Sequence, residues 1–218
     1  MAAAPKGAGG PELEMAHARA GLYGLVSRVF SGKPSAAMIE GMKSPEMVES
    51  LAAFDISFDG EFLAGDAQEQ AEELAVEYAR LFLGTGEHIA PYESVFIRGW
   101  SEEAPQLWGE ATVAVARFYD EAGLELKSGR TPDHLSLELE AMAMLAECEA
   151  ARRESGDAGG AAGIEELQSR FCREHLILWV PEICKAVRAR SGSSFYRGMA
   201  ALTESLVRLH CGEADGAD

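Results

Sequence analysis

Ser193-Ser-Phe-Tyr-Arg-Gly-Met-Ala-Ala-Leu-Thr-Glu-Ser-Leu-Val-Arg-Leu-His210 decides the fold class. Phe195, Met199, Leu202, Leu206 and Leu209 follow one another at alternating steps of four and three, the period of a helix that buries a single stripe. A stripe needs partners, and the chain upstream supplies them. From Pro11 to Phe30, Leu13, Ala16, Ala20, Tyr23 and Phe30 mark one face, which Ser31-Gly-Lys-Pro34 stops. Ser35 and Ser44-Pro45 read as helix starts, each a hydroxyl able to accept from a free amide, the second with proline at the first helical position. Residues 61–83 repeat apolar groups at Ala71, Leu74, Ala75, Tyr78, Leu81 and Phe82, and Gly84-Thr-Gly86 should end that helix in the left-handed conformation glycine allows. Further helices are expected over 105–121, from Thr131-Pro132 to Glu154, and from Ile164 to Trp179 with a kink or restart at Pro181. Asp55-Ile-Ser-Phe-Asp59 is too short to count as a strand. The expectation is an all-α, single-domain bundle of about seven to nine helices.

A chain of 218 residues with 47% hydrophobic content can bury one real core. The helical domain is expected over 11–211, with flexible tails at 1–10 and 212–218. Ser155-Gly-Asp-Ala-Gly-Gly-Ala-Ala-Gly163 reads as an exposed, flexible linker before the C-terminal helices. The net charge of −17 argues against nucleic acid and anionic membrane surfaces, which demand basic patches, and favours a basic partner. Met1 to Gly10 lacks the apolar run of a signal peptide and no window is long enough to span a bilayer, so a cytoplasmic protein without stable membrane insertion is expected. Cys148, Cys172, Cys184 and Cys211 show no C-x-x-C spacing and no histidine cluster; they read as reduced thiols, not metal ligands.

Chemistry concentrates in two segments, Ala90-Pro-Tyr-Glu-Ser-Val-Phe-Ile-Arg-Gly99 and Thr131-Pro-Asp-His-Leu-Ser-Leu-Glu-Leu-Glu140. With Thr131 as cap and Pro132 first in the helix, Asp133 falls in the first turn, where free amides and the helix dipole favour a carboxylate by about 0.3–1 kcal/mol. His134 lies about 100° further round and is not explained that way. Catalysis would need a third group that no spacing identifies, and a phosphohydrolase would need further histidines in a pattern that His17, His88, His175 and His210 do not make. Tyr92, Phe96 and Trp100 either plug a gap between helices or wall an apolar groove with Glu93 available to a cation. The acidic face of Glu69, Glu72, Glu73 and Glu77 is either a solvated face or a guide for a cationic peptide. His175 and Trp179 sit on one stripe with Phe171 and Leu178, as packing or as ligands. No phosphate-binding glycine loop and no nucleophile elbow occurs.

In this order, the pieces Glu73-Leu-Ala-Val-Glu-Tyr-Ala-Arg-Leu-Phe82, Pro91-Tyr-Glu-Ser-Val95, Pro132-Asp-His-Leu135, and Glu174-His-Leu-Ile-Leu-Trp-Val-Pro181 with Phe195-Tyr196 resemble the TorD/DmsD/NarJ-like chaperones of molybdoenzyme maturation. The resemblance covers roughly residues 15–210; Arg130 departs from it, standing where an acidic residue is common. It implies an all-helical, cofactor-free, non-enzymatic chaperone in the cytoplasm, monomer or homodimer. Such a protein binds the twin-arginine signal peptide and the apo-form of a molybdopterin oxidoreductase, aiding cofactor insertion and blocking premature export. It also implies a peptide-binding role for Tyr92, Glu93, Ser94, Trp100, Asp133 and His134, with no catalytic or metal-binding residue. Two other readings remain open: assembly of a non-exported molybdoenzyme subunit, and phosphoester or nucleotide hydrolysis through Asp133 and His134.

Overall fold

Ala16, Tyr23, Val26 and Phe30 put the buried face of α1 (Pro11–Ser31) against α8 (Leu135–Glu154), and this pair is the spine of the molecule. The computed structural model describes residues 10–84, 87–97, 109–125 and 129–212. Helix α8 is buried on more than one side, through Leu135, Leu139, Met142, Leu145 and also Leu137, Ala141 and Ala143. An amphipathic surface helix would show one apolar stripe; this one is enclosed. Helix α9 (Ala158–Phe171) covers a further side of it, and α10 (Ile177–Arg190) and α11 (Ser194–His210) pack as a pair, with α11 returning to α1. The stripe expected on α11 is buried at Phe195, Met199, Leu202 and Leu206; Leu209, at the end, is exposed.

The N-terminal half adds α2 (Ala36–Met42), α3 (Pro45–Ala52), α4 (Gly60–Ala64) and α5 (Ala67–Tyr78), with α2 resting on α5. Ser35 and Ser44 cap α2 and α3 through their hydroxyls, as their positions predict. The single helix expected over 61–83 is instead two. Asp66 takes the amides of Gln68 and Glu69 at 2.9 and 3.0 Å, so a new helix starts there after the break at Gly65. A π stretch, Ala79–Leu83, continues α5, and Gly84 leaves it extended, not left-handed. Then come α6 (Glu93–Phe96) and α7 (Glu110–Ala122), packed on each other. A second π stretch, Cys172–Leu176, joins α9 to α10. Among the described residues, the eleven α-helical segments therefore make ten rods, eight of them longer than five residues, and no strand occurs. The fold is all-α.

Four further readings are corrected. The glycine-rich stretch 155–163 is exposed except near the buried Ala161, but it is no irregular linker: after a tight turn, Asp157 caps the Gly160 amide at 2.9 Å and α9 begins at Ala158. Burial of Ala161, Gln168 and Phe171 against the rest of the bundle outweighs the helix cost of glycine, about 1 kcal/mol each. The chain does not restart at Pro181, which sits inside α10; the irregularity lies one turn earlier, in the π stretch. Helix α8 starts at Leu135, not at Pro132, with His134 as its cap. Lastly, Cys172 and Cys211 form a disulfide, their Cα atoms 5.8 Å apart, while Cys148 and Cys184 are free. Thirty-nine residues separate the pair in sequence, and only the return of α11 past the start of α10 brings them together. No helix is long and apolar enough to cross a membrane, among the described residues.

Candidate functional site

The two signature segments clasp each other through their backbones. The Glu93 amide donates to the Asp133 carbonyl at 2.9 Å, and the Leu135 amide to the Pro91 carbonyl at 2.9 Å. Tyr92 and His134 form an isolated antiparallel bridge, with the tyrosine ring edge-on to the imidazole at 5.0 Å. Asp133 Oδ2 accepts the Ser94 amide at 3.1 Å. Its carboxylate therefore serves a helix start, as the sequence suggests, but that of the four-residue α6 on the opposite segment. His134 Nδ1 accepts the Ser136 amide at 3.1 Å and lies 2.9 Å from the Ser136 hydroxyl, capping α8. An accepting Nδ1 puts the ring proton on Nε2. Burial, helped by the positive charge of Arg130 and opposed by Asp133, pushes His134 down to about 4, so the ring is neutral at pH 7.

Beneath the clasp lies a layer of buried charge. Both oxygens of Glu93 are within 3.1 Å of His175 Nδ1, and Trp179 Nε1 donates to Glu138 Oε2 at 3.1 Å. Glu138 stands beside Glu93, and burial together with that neighbouring negative charge raises its carboxyl well above the ordinary range. Two carboxyl groups sharing a dry site oppose each other's charge, which favours the protonated form of Glu138. Asp133 and Glu138 are wholly inaccessible, Glu93 is 2% exposed and His134 3%. Phe118 and Phe171 flank His175, and Tyr119 donates to the Pro132 carbonyl at 3.0 Å, closing the side of the layer. Ser94 Oγ and Asp133 Oδ1 are buried without a hydrogen-bond partner among the described residues, whereas Glu138 shares a hydrogen bond with Glu93.

Tyr92, Glu93, Ser94, Asp133 and His134 are thus brought together, while Trp100 lies outside the described residues. Glu93 is not a groove wall offered to a cation: it is buried against the internal His175, 3.0 Å away. Tyr92, Phe96 and Ile97 keep part of their surface, and α7 and α10, which flank α6, carry exposed Val113 and Leu178. His175 and Trp179 are buried packing residues with polar ends in the knot. Sequence reasoning passed over Glu138. Its signal was present: three residues after Leu135 and four before Met142, it occupies the apolar stripe of α8.

The expected acidic face takes a definite shape. Glu73 and Glu77 join Asp59 and Glu61, with Phe62 and Leu74 at the floor, in a groove of about 270 Å³ between α4, α5 and the start of α11. Glu77 is already engaged by Arg80 at 2.7 and 2.8 Å and by Ser191 and Gly192, and these bonds hold its carboxyl below the usual range. No group of three or more potential metal ligands occurs among the described residues.

The family model described as the nitrate reductase delta subunit matches residues 44–185, which include both signature segments. No curated protein matches the chain. A crystal structure of a proposed redox enzyme maturation protein from Archaeoglobus fulgidus aligns over 97% of this chain and 98% of its own, at 20% identity and a TM-score of 0.45. A likeness that distant carries no argument here.

Proposed function

The chain belongs to the nitrate reductase delta subunit family, of the NarJ/TorD chaperone type, and from that premise we propose that it is a maturation chaperone for a molybdopterin oxidoreductase. It binds the enzyme's twin-arginine signal peptide and apo-form in the cytoplasm, aids cofactor insertion and prevents premature export. Tyr92, Glu93, Ser94, Trp100, Asp133 and His134 form the peptide-binding region.

The observation that carries this reading is the clasp, a surplus of buried carboxyl groups held directly under partly exposed apolar side chains. A leader of this class is a greasy segment preceded by two arginines. Tyr92, Phe96 and Ile97 offer the apolar surface, and the layer below offers a negative field in a poorly screened interior. In this account Tyr92 touches the peptide, whereas Glu93, Ser94, Asp133 and His134 fix the shape and charge of the surface it meets. The acidic groove, with Glu61 and Glu73 on its rim, adds long-range attraction for a cationic segment.

A second reading is favoured by the family's own description. In that reading the client is a non-exported subunit that presents a tail, and the same surface would take an amphipathic tail without paired arginines. Hydrolysis is disfavoured, since Asp133 and His134 are sealed, and Asp133 Oδ2 and His134 Nδ1 are engaged by backbone amides. Calorimetry with an Arg-Arg leader and its Lys-Lys version is the test. The proposal expects the Arg-Arg peptide to bind about tenfold more tightly, because only guanidinium matches an exposed carboxylate, such as Glu61 or Glu73 on the groove rim, through two parallel bonds. Equal affinity would favour the tail reading, and no affinity for any leader would remove the first.

A further inference from the structure

The Cys172–Cys211 pair joins two places of different character. Cys172 opens the π stretch Cys172–Leu176 and is fully buried, whereas Cys211 is the half-buried cap residue of α11. His175, three residues along the same π stretch, is the group that meets Glu93 under the clasp. Tyr23 meets His210, the neighbour of Cys211, at 2.9 Å. The bond therefore ties the end of the chain's last helix to the turn that holds the clasp's histidine. A π stretch is a wider, less regular turn than the helix around it, and such turns recur at functional positions.

From these contacts we propose that Cys172 and Cys211 are a reversible dithiol–disulfide switch that couples the thiol redox state of the surroundings to the order of the 172–176 turn and the end of α11. Two features suit the pair to both states. Cys172 Sγ lies 3.5 Å from the Val207 carbonyl, so the reduced thiol has an acceptor ready in an otherwise dry place. Cys211 caps the end of a helix, the part that opens most easily, and as a half-buried residue it is the more accessible of the pair, Cys172 being fully buried. In the reductive direction a dithiol reductant attacks Cys211 Sγ as a thiolate, the S–S bond breaks, and Cys172 leaves and takes up a proton. The reductant's second thiol then displaces Cys211, which is protonated in turn. Two electrons and two protons reach the protein, and the reductant ends as a disulfide. Oxidised glutathione drives the reverse exchange.

Cys148 is exposed and free, Cys184 is buried and free, and neither takes part. The fully buried Cys184 thiol is pushed up strongly by desolvation, which keeps it protonated and inert.

The test equilibrates the full-length protein with glutathione and dithiothreitol buffers, traps thiols with an alkylating reagent, and counts them by mass spectrometry without denaturant before quenching. The expected result is reversible interconversion, with two alkylated thiols gained on reduction, both mapping to Cys172 and Cys211. C211S and C172S should each abolish the transition, and C148S should leave it intact. Reduction should lower the melting temperature by about 5–15 °C, as opening a loop of this size does in a domain this large. It should also speed hydrogen exchange at 172–176 and 207–211 more than in α1 or α8. Absence of the bond in oxidised glutathione overturns the proposal. So does a bond that yields to dithiothreitol only after the protein is unfolded, which would make it a fixed staple.

Discussion

Two buried ionic knots hold this bundle together, and they are built on opposite accounting. At the far end of α8, Glu149 is fully buried and faces two guanidiniums: Arg19 at 2.7 Å and Arg153 at 2.8 Å, with Gln168 donating at 2.7 Å. Arg153 also reaches Glu12 and Glu165, so α1, α8 and α9 are pinned at one point. At the near end of the same helix, Glu138, Glu93 and Asp133 crowd together, served by His175, Trp179 and backbone amides. Here the carboxyl groups lie against one another, and unpartnered atoms do not separate the two knots: Ser94 Oγ and Asp133 Oδ1 lack a partner among the described residues, as do Arg19 Nε and Gln168 Oε1 in the first. A charge-balanced knot is what structure alone selects. A knot with excess carboxyl groups costs stability, and its place beneath the signature segments fits a group kept for binding.

Removing the balanced knot should have the largest effect. Glu149→Gln leaves two arginines, each only 16% exposed, facing a neutral amide, and should cost about 3–5 kcal/mol in chemical denaturation. A loss under about 1 kcal/mol would mean the network is decorative. In the clasp, Asp133→Ala removes the acceptor of the buried Ser94 amide and should cost about 1–3 kcal/mol. Asp133→Asn keeps that acceptor, so its stability should lie close to the parent's. A large loss from Asn as well would show that the charge itself stabilises the fold.

Smaller effects carry the sign of the asymmetry. Glu138 has its carboxyl raised in the folded protein, so above the unfolded value of about 4.5 the native state binds more protons than the unfolded one. Stability from this group is therefore present at low pH and lost as pH rises toward the folded value. Glu138→Gln keeps an acceptor for Trp179 and cannot ionise. It should gain stability relative to the parent between pH 5 and 8, by about 1 kcal/mol at the upper end. Urea midpoints at both pH values check this, and a gain that shrinks with rising pH would contradict it. His134 acts in the opposite sense. Its folded value of about 4 lies below the ordinary 6.5, so the unfolded state binds more protons in that window and stability falls as pH drops from 6.5 toward 4. His134→Asn, which can still cap α8, should flatten that acid limb, leaving the share of His210, which is also pushed down to about 4. An unchanged acid limb would place the loss elsewhere.

The comparison also shows what a sequence can and cannot convey. Ser35, Ser44 and the α11 stripe are local signals, and each met its element. Residues 155–163 misled because a glycine count measures intrinsic propensity, whereas the burial of Ala161, Gln168 and Phe171 that makes α9 helical is tertiary. Likewise Thr131-Pro132 has the composition of a helix start, yet Asp133 is drawn off to cap α6 on the other segment. The proximity of Tyr92 to His134 followed from the family resemblance alone, since 42 residues of sequence say nothing of pairing. The disulfide was misread for the same reason: contact between the ends of a long helical return is invisible to spacing. Arg19 and Glu149 share no motif either, and only the packing of α1 on α8 unites them.

Titrating one Arg-Arg leader into Asp133→Asn and Glu149→Gln side by side separates the two knots most directly. The account predicts that Asp133→Asn, near parental in stability, binds the leader about tenfold more weakly, whereas the destabilised Glu149→Gln, assayed where it is folded, binds it as the parent does. Parental affinity in Asp133→Asn, or an equal loss in both, would contradict the assignment of binding to the carboxyl-rich clasp.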